Sequence, residues 1–305
     1  MEYQTTINNP FTLSGPGLHT GKYTHVTIKP AAADTGIVIL RTDLTPVATI
    51  PAKAENVRDT NHGTTLANGA ASVATIEHMM SALHGMRVDN ACVEVDGPEV
   101  PILDGSAKLW VDQIVKVGVK SLDAERHYIE IGQRIEWSDS ENDIMMVAEP
   151  SDHFSVDCNI EFKSELIGSQ RTVIDGLGNY VEEVARCRTF VFLHEVEVLL
   201  AHNLIKGGDL DNALVFVDKP LGEEEKARLA ALFNKDKDSI QVRNGVLNTI
   251  EPYYANEPAR HKLLDFIGDI YLVGGPLKAH FTIKCPGHRA NTELAKKISE
   301  IISTQ

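Results

Sequence analysis

Cysteine is scarce and scattered in this sequence. Only Cys92, Cys158, Cys187 and Cys285 occur in 305 residues, with no CxxC pair, which argues against a zinc finger or a disulfide scaffold and fits reduced thiols in a cytoplasm. Basic charge is also short, with 29 Lys+Arg against 43 Asp+Glu and a formal net charge of −14. Such a balance argues against a partner that is nucleic acid or anionic lipid, although a locally basic pocket for a phosphorylated small molecule stays compatible with it. No run approaches the ~18 apolar residues of a transmembrane segment. The start, Met1-Glu2-Tyr3-Gln4, has neither the basic residues nor the apolar stretch of a secretory signal. Familiar catalytic motifs are missing too. Gly15-Pro-Gly-Leu-His-Thr-Gly-Lys22 is too short for a phosphate-binding Walker loop and is followed by Tyr23, and His194-Glu195 has Val198 where a zincin needs its second histidine. There is no GxSxG elbow.

What is present suffices for sizeable cores, since 43% of residues are hydrophobic and 24% charged. The length points to two domains. Strand-like alternation broken by turns fills the first ~70 residues, and the pattern then predicts a helix at about 73–86, a strand at Asn90–Asp96 and a helix at about 105–117. Residues 121–128 are polar and mark a boundary, giving domains 1–122 and 127–305. The second half repeats the plan: strands to about 165, helical segments near 193–202, 223–233 and 257–272, a strand at Leu277–Lys284, and a last helix at about 289–302. The expected class is therefore α+β, with two similar domains, each a β-sheet layered against helices.

Three groups could carry chemistry. In Arg260-His-Lys-Leu-Leu-Asp-Phe-Ile-Gly-Asp269, helical periodicity sets His261, Asp265, Asp269 and Lys262 on one side, opposite Leu263, Leu264, Ile267, Ile270 and Tyr271. An imidazole and a carboxylate one turn apart can share a divalent metal, although a solvated face with an ordinary His–Asp pair has the same pattern. In Thr75-Ile-Glu-His-Met-Met80, His78 offers a third ligand and Glu77 a neighbouring general base. Its bland alternative is again the polar side of an amphipathic helix, outside the apolar face of Val73, Ile76, Met79, Met80 and Leu83. His288 follows a strand and a Pro-Gly turn, where it can serve as a general acid or simply cap a helix. On residues alone the reading ends at a two-domain α+β protein that is a candidate metal hydrolase.

Taken in order, Gly17-Leu-His-Thr-Gly21, Thr75-Ile-Glu-His78, Val100-Pro-Ile-Leu-Asp-Gly-Ser106, Arg188-Thr-Phe190, Gly207-Gly208, Asp211-Asn-Ala213, His261-Lys-Leu-Leu-Asp-Phe-Ile-Gly-Asp269 and Gly287-His288 resemble a known family. It is the zinc-dependent UDP-3-O-acyl-N-acetylglucosamine deacetylases of lipid A (lipopolysaccharide) synthesis in Gram-negative bacteria. The resemblance runs from about residue 10 to 295. It implies an active site at the domain interface, with one catalytic Zn2+ held by His78, His261 and Asp265. It further implies Glu77 as general base, His288 as general acid, Asp269 as the group orienting His288, and Lys262 and Thr189 as groups that stabilise the oxyanion or hold substrate. Segment 190–206 corresponds to an apolar passage for the acyl chain, built here of Phe192, Leu193, Val196, Leu199, Leu200 and Ile205. The acidic stretch 138–149 departs from relatives that place a lysine near the nucleotide. Some relatives carry a further dehydratase domain.

The expectation is thus a cytoplasmic, monomeric hydrolase that removes the N-acetyl group of an acylated UDP-sugar. Two rivals stand beside it: another zinc amidohydrolase acting on a different N-acetyl sugar, and a non-catalytic zinc-stabilised binding protein.

Overall fold

The computed structural model describes residues 1–201, 205–233, 235–247 and 251–303, with the backbone alone at 197, 199–201 and 239. Two sheets of the same topology carry it. Along the first the strands run Phe11–Pro16, Tyr23–Pro30, Ala91–Val95, Ile37–Arg41, Ala48–Pro51, and along the second Ile135–Asp139, Ile144–Pro150, Leu277–Lys284, Ser155–Glu161, Ser169–Asp175. In each sheet the central strand is the latest in sequence, antiparallel to one neighbour and parallel to the other. A helix precedes each central strand, Glu77–Gly85 or Glu257–Ile270, and a helix follows it, Lys108–Val117 or His288–Ser303. The expected α+β duplication is the fold observed.

Side-chain alternation explains why these stretches are strands. In Leu277–Lys284, Leu277, Ala279, Phe281 and Ile283 are buried while the residues between them are only partly covered. Residues 119–125, polar in sequence, form a strand that pairs antiparallel with Tyr3–Ile7. Between strand Ser169–Asp175 and helix Glu257–Ile270 lies an insert. Its helices, Leu193–Ala201 and Glu223–Leu232, match the sequence pattern, but it also holds a small sheet of Phe190–Phe192, Leu214–Phe216, Val246–Leu247 and Val242–Arg243. Strands of two or three residues are too short to show a periodicity.

The helix Glu77–Gly85 corrects one expectation. Its sequence predicts a single apolar face with Glu77, His78 and Ser81 left outside, yet every one of its residues is buried. The polar side packs on helix Glu257–Ile270 of the other half. There His84 donates from Nδ1 to the Ile267 carbonyl at 2.9 Å and stacks on Tyr271 at a centroid distance of 4.3 Å. Burial pushes its pKa down to about 4, so the ring packs as a neutral group. Tyr271 in turn donates to the Val88 carbonyl at 2.8 Å.

The tightest point of this crossing is Gly268. A Cβ there would lie 2.1 Å from the Glu77 carbonyl oxygen and 3.0 Å from the Ser81 nitrogen, both backbone atoms. Gly268→Ala should therefore force the helices apart and lower the unfolding free energy by about 1–3 kcal/mol. Gly132→Ala, whose Cβ would meet nothing within 4 Å, should change it little. Urea unfolding of both variants checks this, and equal midpoints would contradict the close contact.

Candidate metal and catalytic site

The crossing brings the first turn of one helix against the second and third turns of the other. His78 Nε2 lies 3.6 Å from Asp265 Oδ1, and His261 Nε2 lies 3.3 Å from the same oxygen. Ligand atoms of these three residues all fall within 4.8 Å of one another, and each residue is buried. Among the described residues they are the one such cluster of His, Cys, Asp and Glu. A tetrahedral zinc with ligand bonds of about 2.0–2.1 Å needs neighbouring ligands about 3.3 Å apart, so this spacing suits that ion.

Two further observations favour a cation here. Asp265 Oδ1 is buried with no hydrogen-bond partner, a costly state for a carboxylate oxygen unless a positive group faces it. His261 Nδ1 lies 3.1 Å from the Cys187 carbonyl, which can only accept, so Nδ1 bears the proton and Nε2 presents its lone pair. Burial pushes the His261 pKa down to about 3, which keeps that lone pair free at neutral pH. Burial would raise the Asp265 carboxyl, but the groups around it, the Lys262 ammonium among them, outweigh this and hold it well below the usual carboxylate range. Its Oδ2 accepts from Lys262 Nζ at 3.1 Å.

Next to this cluster runs a hydrogen-bonded chain of acids and bases. Asp269, fully buried, accepts from His288 Nδ1 at 2.9 Å, Asn291 Nδ2 at 2.9 Å and Thr64 Oγ1 at 2.6 Å. Thr64 also donates its backbone N–H to Glu77 Oε2 at 3.0 Å, tying the two carboxylates to one residue. The other Glu77 oxygen lies 3.9 Å from His288 Nε2. Burial raises the Glu77 carboxyl above its ordinary value, which makes it a stronger base. Burial would lower the His288 pKa, yet the Asp269 and Glu77 carboxylates outweigh it and lift it to about 9. The face of helix Glu77–Gly85 that sequence leaves open as solvated is therefore interior, as are His261, Asp265 and Asp269, and His288, the first residue of its helix, is partly buried beside them.

A cavity of about 500 Å3 opens beside these groups, and Glu77, His78, His261, Lys262, Asp265, His288 and Thr189 all line it. Its apolar side comes from the insert and its surroundings, chiefly Phe190, Val191, Val196, Ile205, Leu210 and Phe233. Phe192 and Leu193, singled out for the acyl chain, are not among the lining residues. The Phe192 ring packs against Phe162 and Phe216, and Leu193 belongs to the small core under the insert. The side chains of Leu199 and Leu200 lie outside the described residues. Thr189 is half-buried, its backbone N–H donating to the Gly105 carbonyl at 2.8 Å. The acidic stretch 138–149 lies in an edge hairpin, where Asp139 pairs with Arg289 and Asp143 with Lys284. Thr64 escapes the sequence reading, since a lone threonine before a turn has no motif. Asn291 could have been found three residues beyond His288 on the same helix face.

Fold and site together define a class: a duplicated α+β protein with a His2Asp cluster and an acid–base pair between its halves. A family model described as UDP-3-O-acyl N-acetylglycosamine deacetylase matches residues 4–238 and 234–300. The chain is 43% identical over 302 residues to the bifunctional enzyme LpxC/FabZ of Porphyromonas gingivalis, which covers 99% of this chain and 65% of that protein. It is 38% identical over 299 residues to the UDP-3-O-acyl-N-acetylglucosamine deacetylase of Geobacter sp. (strain M21), covering 98% of this chain and 89% of that one. The same values hold for its namesake in Citrifermentans bemidjiense. The chain spans about 65% of the length of its bifunctional relatives. It belongs to the UDP-3-O-acyl-N-acetylglucosamine deacetylase family.

The unpartnered Asp265 oxygen generates a stability prediction. Asp265→Asn should leave the metal-free protein at least as stable as the parent, because a neutral amide can donate toward the histidine Nε2 atoms. Added Zn2+ should raise the melting temperature of the parent and leave that of the variant unchanged. A variant that still gains stability from Zn2+ as the parent does would remove Asp265 from the cluster's function.

Proposed function

We propose that this chain hydrolyses the N-acetyl group of UDP-3-O-acyl-N-acetylglucosamine, releasing acetate and the free amine, with one Zn2+ held by His78, His261 and Asp265. The domains 1–122 and 127–305 would meet at this site, in a cytoplasmic enzyme whose four cysteines stay reduced. The observation that carries the reading is the buried Asp265 oxygen, unpartnered and within 3.3–3.6 Å of two histidine nitrogens, beside Glu77 and His288 at the edge of an apolar cavity. The names of the relatives supply the substrate.

Zinc bound there would polarise the amide carbonyl and lower the pKa of a water to about 7. The rest belongs to the chain's own side chains. Glu77 takes the proton of the attacking water, a role suited to a carboxylate whose affinity for protons burial has raised. Lys262, at 3.1 Å from Asp265 and on the cavity wall, and Thr189 hold the carbonyl oxygen as it gains charge. Asp269 keeps a proton on His288 Nδ1, so Nε2 is turned toward Glu77 and donates its own proton to the departing nitrogen. Without that proton, collapse of the intermediate would expel water instead of the amine. The apolar residues of the insert take the acyl chain, each buried CH2 contributing ~0.8 kcal/mol.

Glu77→Gln should keep fold and bound metal while turnover falls about 10²–10⁴-fold. Metal analysis with an acetate-release assay checks this, and near-parental turnover would assign the base elsewhere. The pH dependence follows from His288, whose imidazolium is the donating form and persists up to about pH 9 because Asp269 and Glu77 favour it. Asp269→Asn removes one counter-charge, lowers that pKa and so should move the alkaline limb of kcat to lower pH. An unmoved limb would mean that His288 is not the acid.

A further inference from the structure

Glu257 is fully buried in the first turn of helix Glu257–Ile270, and none of the roles above uses it. Its Oε1 accepts the Arg188 backbone N–H at 3.0 Å and Arg188 Nε at 3.0 Å, while Oε2 accepts Arg188 Nη2 at 3.3 Å. The carbonyl of the same peptide unit, that of Cys187, accepts the Nδ1 proton of His261 at 3.1 Å. One peptide group thus joins a buried carboxylate on its N–H side to a buried imidazole on its C=O side.

Such a peptide is polarised in one direction. Negative charge at the N–H end pushes electron density toward the carbonyl oxygen, which strengthens the bond that oxygen accepts, and the effect is large where water is excluded. A neutral histidine can carry its proton on either nitrogen, and the partner of one nitrogen decides which lone pair the other presents. We infer that Glu257, acting through the 187–188 peptide, fixes His261 as its Nδ1–H tautomer and strengthens Nε2 as a metal donor. Glu257 is then a positioning residue for metal binding, and this inference rests on the reading of His261 as a ligand given above.

The competing role is purely structural: the Arg188–Glu257 ion pair, with Arg188 stacked 4.3 Å from the Tyr253 ring centroid and bonded to the Glu251 carbonyl at 2.6 Å, anchors the strand that begins at Phe190. The two roles separate experimentally, because Arg188→Met removes the ion pair but leaves the carboxylate on the peptide N–H. The full chain, Glu257→Gln, Arg188→Met and the double variant would be stripped of metal and titrated with Zn2+ against a chelator. Nitrogen-15 NMR would read the His261 tautomer in each metal-free protein at neutral pH. Glu257→Gln should show both tautomers of His261 and bind Zn2+ about 10–100-fold more weakly. Arg188→Met should lose stability but keep the parental tautomer and affinity. The double variant, which holds no lone buried guanidinium, should fold and reproduce the weak binding even if Glu257→Gln alone does not fold. Parental affinity and tautomer in the variants lacking Glu257, or equal losses with Arg188→Met, would overturn the inference. A parent chain that binds no Zn2+ would remove the ligand reading instead, and the His261 tautomer would still decide the role of Glu257.

Discussion

The backbone of Gly268 lying against the first turn of helix Glu77–Gly85 is the contact on which the rest of the site depends. Neither half holds the cluster alone. His78 and Glu77 come from one helix, His261, Asp265 and Asp269 from the other, and a separation set by any side chain at Gly268 would part them. Because helix Glu77–Gly85 is buried throughout and helix Glu257–Ile270 everywhere but at Arg260 and Lys262, their relative position is fixed by packing and not by the polar groups themselves. The polar groups then inherit a geometry that they could not have held on a surface.

The same device recurs around the cavity. A Cβ on Gly105 would lie 2.0 Å from the Asn212 carbonyl, and one on Gly207 would lie 2.2 Å from that of Gly17. Gly105 has φ of +79°, which disfavours side chains for a second reason. These four residues lie in separate motifs of the family resemblance, so part of that signature records where backbones touch. Such contacts clamp the insert, with its apolar residues, onto the first half. Recognition of the chain through its motifs is therefore recognition of packing as much as of chemistry.

This explains which parts were legible in the sequence. The pairing of His261 with Asp265 follows from helical spacing, and the strand Leu277–Lys284 from alternation, because both are local regularities. Whether that helix face met solvent or another helix was not legible, since a buried polar face and a solvated one have the same pattern until a partner is known. His78 joins the cluster only through the tertiary crossing. The apolar character of the insert does not say which side faces a cavity: Leu193 turns into the insert's own core and Phe192 into the main core, while Phe190 and Val191 line the wall. Thr64, which joins Glu77 to Asp269, has no sequence signature because its role depends on two distant carboxylates converging.

Charge balance gives the site its direction. Three buried carboxylates, Glu77, Asp265 and Asp269, face two buried or half-buried cations, Lys262 and His288, and the carboxylates favour the charged form of both. Asp269 is saturated by three donors, Glu77 has the Thr64 amide and the imidazolium nearby, and Asp265 Oδ2 pairs with Lys262, so among the described residues the one buried carboxylate oxygen left without a hydrogen-bond partner is Asp265 Oδ1. Folding tolerates such a group only if packing elsewhere offsets it, and the interlocked helices provide that packing. A divalent cation would relieve the deficit at Asp265 without disturbing Asp269, whose donors are already in place. On the proposed reading, orientation of the acid and capture of the metal would fall to two different carboxylates one helical turn apart, Asp269 and Asp265, and each would act without competing for the other's partners.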